Sequence, residues 1–246
     1  HTKFGRLSGS LEDLIIEAAR EAIDHAQVDP AEIDGIWLGN FNNGLVADGF
    51  ASSMALGVDD RLRFKPATRL ENACASGSAA IFGARDAIRA GWAKKVLVIG
   101  AEKMTAQDTE GVTAALSGAS YQVEESGVSF PEIFARFAQR YFEANGDQSL
   151  ALAQIAAKNH ANAMHNPLAH MQKPLDVSFC NTVSERNPLI AAPLRMSDCS
   201  VISDGAAALI MVADDRVSSF EQAVTFRSAV QVNDYLPMSR RDLLSF

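Results

Sequence analysis

Apolar positions recur every three or four residues through Leu11, Leu14, Ile15, Ala18, Ala22 and Ile23, the period of a helix with one buried face. Ser10-Leu11-Glu12-Asp13 at the head of this run has the form of a capping box, so a helix is predicted over about 11–27. After Pro30 the pattern changes. Ile33-Asp34-Gly35-Ile36-Trp37-Leu38-Gly39 reads as a strand with a glycine-rich exit, 47–57 as a short helix closing at Gly57, and 64–70 as an extended segment. Ile81, Ala84, Ile88 and Trp92 mark the buried face of another helix, and Lys95-Val96-Leu97-Val98-Ile99-Gly100 is a nearly continuous apolar strand of the kind covered on both faces. Strands that alternate with helices predict a mostly parallel sheet.

For about a hundred residues after Gly100 the alternation stops. Residues 102–130 mix Ser, Thr, Gly and Glu, 131–144 and 149–164 look helical, and 165–198 contain Pro167, Pro174, Pro188 and Pro193. This stretch reads as an excursion out of the layered core. The core resumes at Ser203-Asp204-Gly205-Ala206, where Asp204 and Gly205 are expected to shape a turn that feeds a buried strand. The alternation of 223–232 predicts one more strand.

Composition narrows the function classes. The 246 residues are 48% hydrophobic and 21% charged, ordinary for a globular protein. A net charge of −8 argues against binding DNA or RNA, whose phosphates require a basic surface, and disfavours anionic membranes. No apolar run has the length of a bilayer span, and His1-Thr2-Lys3-Phe4-Gly5-Arg6 does not resemble a secretory signal, so a cytoplasmic setting is expected. Both ends, at His1 and Phe246, read as cuts. Cys74, Cys180 and Cys199 form no C-x-x-C pair and read as separate thiols. His160, His165 and His170 recur every five residues, which on a helix turns them about 140° apart, so no metal site is expected.

Cys74 carries the candidate chemistry. It sits in Glu71-Asn72-Ala73-Cys74-Ala75-Ser76-Gly77-Ser78-Ala79-Ala80, where polar residues give way to small ones about to enter a helix. A thiol at the first turn of a helix meets unpaired N–H groups and the positive end of the dipole, an environment expected to favour its nucleophilic form. The small neighbours allow close approach of backbone and substrate.

With the Cys74 helix, the insertion and the turn Asp204-Gly205-Ala206-Ala207-Ala208 placed in that order, the chain resembles the thiolases. Thr2-Lys3-Phe4-Gly5-Arg6, Gly100-Ala101-Glu102-Lys103-Met104, Gly146-Asp147-Gln148-Ser149 and Gln231-Val232-Asn233-Asp234 resemble the sterol-carrier-protein-2-like branch. The resemblance covers almost all of the chain but only the N-terminal half of the family. It implies an α/β layered fold built from βαβαβαββ halves. Residues 1–221 then form the N-terminal domain with a mainly helical loop domain of about 102–198 inserted, and 222–246 begin a C-terminal domain that is largely missing.

The resemblance also implies a reaction. Cys74 attacks an acyl-CoA thioester, and the acyl-enzyme is resolved by a CoA thiol or by the carbanion of a second acyl-CoA. Coenzyme A and acyl-CoA enter as substrates, with no permanently bound cofactor. Ser200 aligns with a serine that contacts the pantetheine arm, while a loop-capping hydroxyl is an equal reading. Phe130, in Val128-Ser129-Phe130-Pro131, stands where many thiolases carry a His-Met pair lining the acyl pocket. Residues 102–198 hold 11 acidic and 7 basic side chains, so they form no broad basic cradle for the CoA phosphates, and Arg136, Arg140, Lys158 and Arg195 are local candidates. A homodimer or tetramer is implied, paired through about 64–70. Two alternatives stay open: a carbon–carbon lyase or condensing enzyme with an OB-fold partner protein, and a lipid-binding scaffold without catalysis. The family's general-base histidine, second cysteine and thioester-binding Asn or His lie in the other half, so residues 1–246 alone are expected to turn over poorly.

Overall fold

The capping box expected ahead of the first helix is formed in the computed structural model, which describes residues 1–41 and 44–242. Asp13 N–H donates to Ser10 Oγ at 3.1 Å and Ser10 N–H to the Asp13 carboxylate at 2.8 Å, opening α1 (Leu11–Ala26). A cap of this kind contributes about 1 kcal/mol. β1 (Gly35–Gly39), β2 (Ala67–Leu70), α2 (Ser76–Arg89) and β3 (Lys95–Glu102) follow. Then come α3 (Thr109–Ser117), α4 (Gln122–Glu125), α5 (Phe130–Asn145), α6 (Ser149–Ala163) and α7 (Val177–Asn181). The two-stranded pair β4 (Leu189–Ala191) and β5 (Leu194–Arg195) precedes β6 (Gly205–Val212). The short helix expected over 47–57 is a 3₁₀ helix at Ala51–Val58.

Two compact units result, 1–107 with 203–231, and 108–202 with 232–246. In the first, four strands lie in the order β2-β1-β3-β6. β2, β1 and β3 run parallel, and β6 pairs antiparallel with β3. The period of two along each strand divides the core. Ile36 and Leu38 of β1 and Leu97 and Ile99 of β3 face a cluster with Leu11, Leu14, Ile15 and Ala18 of α1. Trp37, Val96 and Val98 face the opposite way, against Ala80 and Ala84 of α2. Full burial of each large aliphatic side chain here contributes about 1.5–3 kcal/mol. The sheet is therefore covered on both faces, as the apolar run of 96–99 predicts.

Asp204 does more than shape a turn. It is fully buried, and its carboxylate accepts from Lys103 Nζ at 2.7 Å, Thr105 N–H at 2.7 Å, Thr105 Oγ1 at 2.6 Å and Leu7 N–H at 3.0 Å. One side chain thus ties the N-terminal segment to the end of β3 and the start of β6. Gly205 beside it leaves room for a ring, since a Cβ there would stand 2.3 Å from Phe4 Cδ1.

The strand expected over 223–232 is not formed. The backbone there is irregular, Val224 is 100% exposed, and Phe226 and Val230 are exposed as well. A strand needs a partner to satisfy its N–H and C=O groups, and among the described residues β6 pairs with β3 alone. Of the segment 222–246, the last four residues lie outside the described residues.

The second unit is mainly helical. Ala153 and Ala156 of α6 pack with Cys180 of α7, and fully buried Asn187 donates to the carbonyls of Phe179, Cys180 and Thr182. Among the described residues, no helix is long and apolar enough to cross a membrane.

Candidate functional site

β2 ends at Leu70 and α2 begins at Ser76, so Cys74 stands in a short turn at the carboxyl end of three parallel strands. That edge is where open α/β sheets bind ligands. Cys74 is exposed, and no described hydrogen bond occupies its thiol. Ala73 before it has φ of 49°, in the left-handed region. For a residue with a Cβ this costs roughly 1–2 kcal/mol. The start of α2 also rests directly on the end of β1. A Cβ at Gly39 would lie 2.5 Å from the Ser76 carbonyl oxygen and 2.7 Å from Gly77 Cα, so a side chain there would displace the backbone that carries the turn.

Polar groups gather along the same edge. Asn40 Nδ2 donates to the Ala101 carbonyl at 2.9 Å and to Glu102 at 3.2 Å, and Phe41 N–H donates to the other Glu102 oxygen. Arg69 donates to the Phe41 carbonyl at 2.8 Å. Burial pushes the Glu102 carboxyl up to about 7, and the Glu71 charge adds to the rise, while the Phe41 bond and the Arg69 charge oppose it. An acid whose pKa is raised by folding contributes stability that is greatest below the unfolded value, about 4.3, and falls as pH rises toward the folded one. The urea midpoint is therefore expected to decline between about pH 4.3 and 7, and Glu102→Gln should flatten that decline. A variant with an unchanged pH profile over that window would count against the buried proton.

The other two candidates from the sequence, Phe130 and Ser200, belong to the second unit. Phe130 is the first residue of α5, half-buried, with its ring 5.1 Å from that of Phe134 in an edge arrangement. Ser200 is exposed and precedes β6. The loop before it is firmly held. Arg195 is buried and bonds Asp198 at 2.9 Å, Asn181 at 2.8 Å and the Ser149 carbonyl at 2.8 Å. Ser197 N–H donates to Asn187 at 2.9 Å. Arg195 is thus spent inside the protein, which leaves Arg136, Arg140 and Lys158, all exposed, as the phosphate candidates of that group.

A groove of about 2030 Å³ in the first unit runs along β6, and Cys74 does not line it. Comparison with known proteins carries more. The model of the thiolase N-terminal domain matches residues 1–182. An acetyl-CoA acetyltransferase of Methanothermobacter thermautotrophicus is 36% identical over 247 residues, covering 98% of this chain and 63% of that protein. The chain belongs to the thiolase family.

Further relatives agree. The acetyl-CoA acetyltransferase of Methanocaldococcus jannaschii is 35% identical, with 99% of this chain and 62% of that protein covered. Sterol carrier protein 2 of Oryctolagus cuniculus is 26% identical over 91% of this chain and 42% of that protein. This thiolase chain spans less than two thirds of the length of these relatives. Among solved structures, the Ltp2-ChsH2(DUF35) aldolase matches with a TM-score of 0.71 at 23% identity, over 89% of this chain and 55% of that one. Human mitochondrial 3-ketoacyl-CoA thiolase in complex with CoA matches with a TM-score of 0.66 at 19% identity, over 89% and 64%. These two likenesses establish the thiolase fold.

Three residues of this edge have no assigned role in the sequence reading: Glu71, Ser76 and Glu102. Glu102 had a visible signal, a carboxylate closing the apolar run of β3. Glu71 and Ser76 had none, because their roles depend on where the turn folds back.

Proposed function

We propose that this chain is the Cys74-bearing part of an acyl-CoA acyltransferase of the thiolase type, acting in thiolysis or Claisen condensation of CoA thioesters. The observation that carries the reading is an exposed cysteine in the turn into α2, in a chain 36% identical to an acetyl-CoA acetyltransferase. The Cys74 sulfur attacks the thioester carbonyl carbon, a new C–S bond forms, and the C–S bond to CoA breaks with the electron pair leaving on the CoA sulfur. One thioester replaces another, so the step is nearly balanced and runs either way. The second half-reaction returns the acyl group to a CoA thiol or to the α-carbon of a second acyl-CoA.

Ser200 is proposed to contact the pantetheine arm and Phe130 to border the acyl group. Residues 1–221 are read as the N-terminal domain and 222–246 as the start of the C-terminal one, which would supply the general base. The edge of β2, which among the described residues is paired on one side only, by β1, suits pairing of two copies. The test is intact-protein mass spectrometry after exposure to acetoacetyl-CoA. An acyl group on Cys74 is expected, and full-length protein that takes none would overturn the reading. The likeness to an aldolase favours one second reading, a carbon–carbon lyase with an OB-fold partner. Product analysis with and without such a partner separates the two.

A further inference from the structure

Resting on the reading of Cys74 as nucleophile, we infer that Ser76 is a positioning residue for it, acting with Glu71 by locking the turn that presents the sulfur. Ser76 is buried at the first position of α2. Its Oγ accepts from Asn72 N–H at 2.9 Å and donates to the Ala73 carbonyl at 2.7 Å. Glu71 Oε1 accepts from Ala73 N–H at 2.6 Å. The same turn is closed by Ala75 N–H on the Asn72 carbonyl at 3.0 Å and Ser76 N–H on the Ala73 carbonyl at 3.1 Å.

Every backbone polar group of Asn72 and Ala73 is therefore bonded, and two side chains make three of the bonds. These clips hold Ala73 at φ of 49°, a conformation alanine adopts rarely when free. Cys74 is the next residue, so the peptide that aims its sulfur is set by this geometry. Gly39 completes the seat from below, since its missing side chain lets the Ser76 carbonyl rest on the end of β1. None of these groups needs to touch substrate. The role is one of aim, and a displacement on the order of 1 Å at a reacting atom can cost up to about 100-fold in rate.

The experiment uses full-length protein, with acyl transfer from acetoacetyl-CoA and the rate of Cys74 alkylation by iodoacetamide measured in parallel. Ser76→Ala is expected to lower kcat about tenfold or more with KM changed by less than about twofold, and to change the alkylation rate. Glycine takes positive φ without steric cost, so adding Ala73→Gly to Ser76→Ala should recover much of the loss. Glu71→Gln keeps an oxygen acceptor for Ala73 N–H and should stay near wild type, whereas Glu71→Ala should not. Wild-type kcat and alkylation rate in Ser76→Ala would overturn the inference, as would a loss that Ala73→Gly fails to relieve. If Ser76→Ala does not fold, the Glu71→Gln and Glu71→Ala pair decides. Wild-type protein that takes no acyl group sinks the proposed reaction, while the alkylation rates still decide whether the turn aims Cys74.

Discussion

Replacing Cys74 by alanine in the full-length protein is expected to lower thiolysis of acetoacetyl-CoA by about 10⁴-fold or more, the scale seen when a covalent nucleophile is removed. The three cysteines are not equivalent. Cys180 is buried, and burial pushes its thiol up. Cys199 is half-buried, and burial followed by the Asp198 charge pushes its thiol up too. Both are held toward the protonated, unreactive form. Cys74 alone is exposed, in a turn that leads into the first turn of a helix. Limited alkylation mapped by mass spectrometry should therefore label Cys74 first, and prior alkylation should abolish turnover to the same extent as Cys74→Ala. Retained thiolysis in Cys74→Ala would mean that another group carries the acyl transfer.

Breaking the pair between Lys103 and Asp204 is expected to have the largest effect on stability. Removing one member of a buried ion pair costs about 3–5 kcal/mol, because the other is left charged and uncompensated. Asp204→Ala should sit at the upper end, since it strands Lys103 together with the donors of Thr105 and Leu7. Lys103→Met should cost less, because those donors still bond the carboxylate. Burial by itself would raise the Asp204 carboxyl, but the bonds from Lys103, Thr105 and Leu7 outweigh it and hold the group below the usual range. A carboxylate with a lowered folded pKa contributes stability that is fully present above its unfolded value, about 3.9, and is lost as pH falls through the folded one. Urea unfolding from pH 7 down to 2 should therefore show an acid limb that Asp204→Asn flattens. Equal midpoints for wild type and Asp204→Ala at neutral pH would remove the pair from any account of the fold.

The sequence by itself determined the parts that depend on local period and local chemistry. α1 is written in the spacing of Leu11, Leu14, Ile15 and Ala18 behind a Ser10–Asp13 box, and β3 in the apolar run from Val96 to Ile99, because side-chain burial repeats at 3.6 residues on a helix and at two on a strand. Cys74 was legible as a candidate from its small neighbours, and the family from the order of motifs. Tertiary structure decided what depends on residues distant in the chain. Asp204 looks like a turn residue until Lys103 and Leu7 are brought to it from about 100 and 200 positions away. Glu102 is an ordinary acid until Asn40, Phe41 and Arg69 enclose it. The pattern of 223–232 promises a strand, yet Val224 stands in solvent, because alternation encodes a two-faced ribbon and only a partner strand can complete its hydrogen bonds.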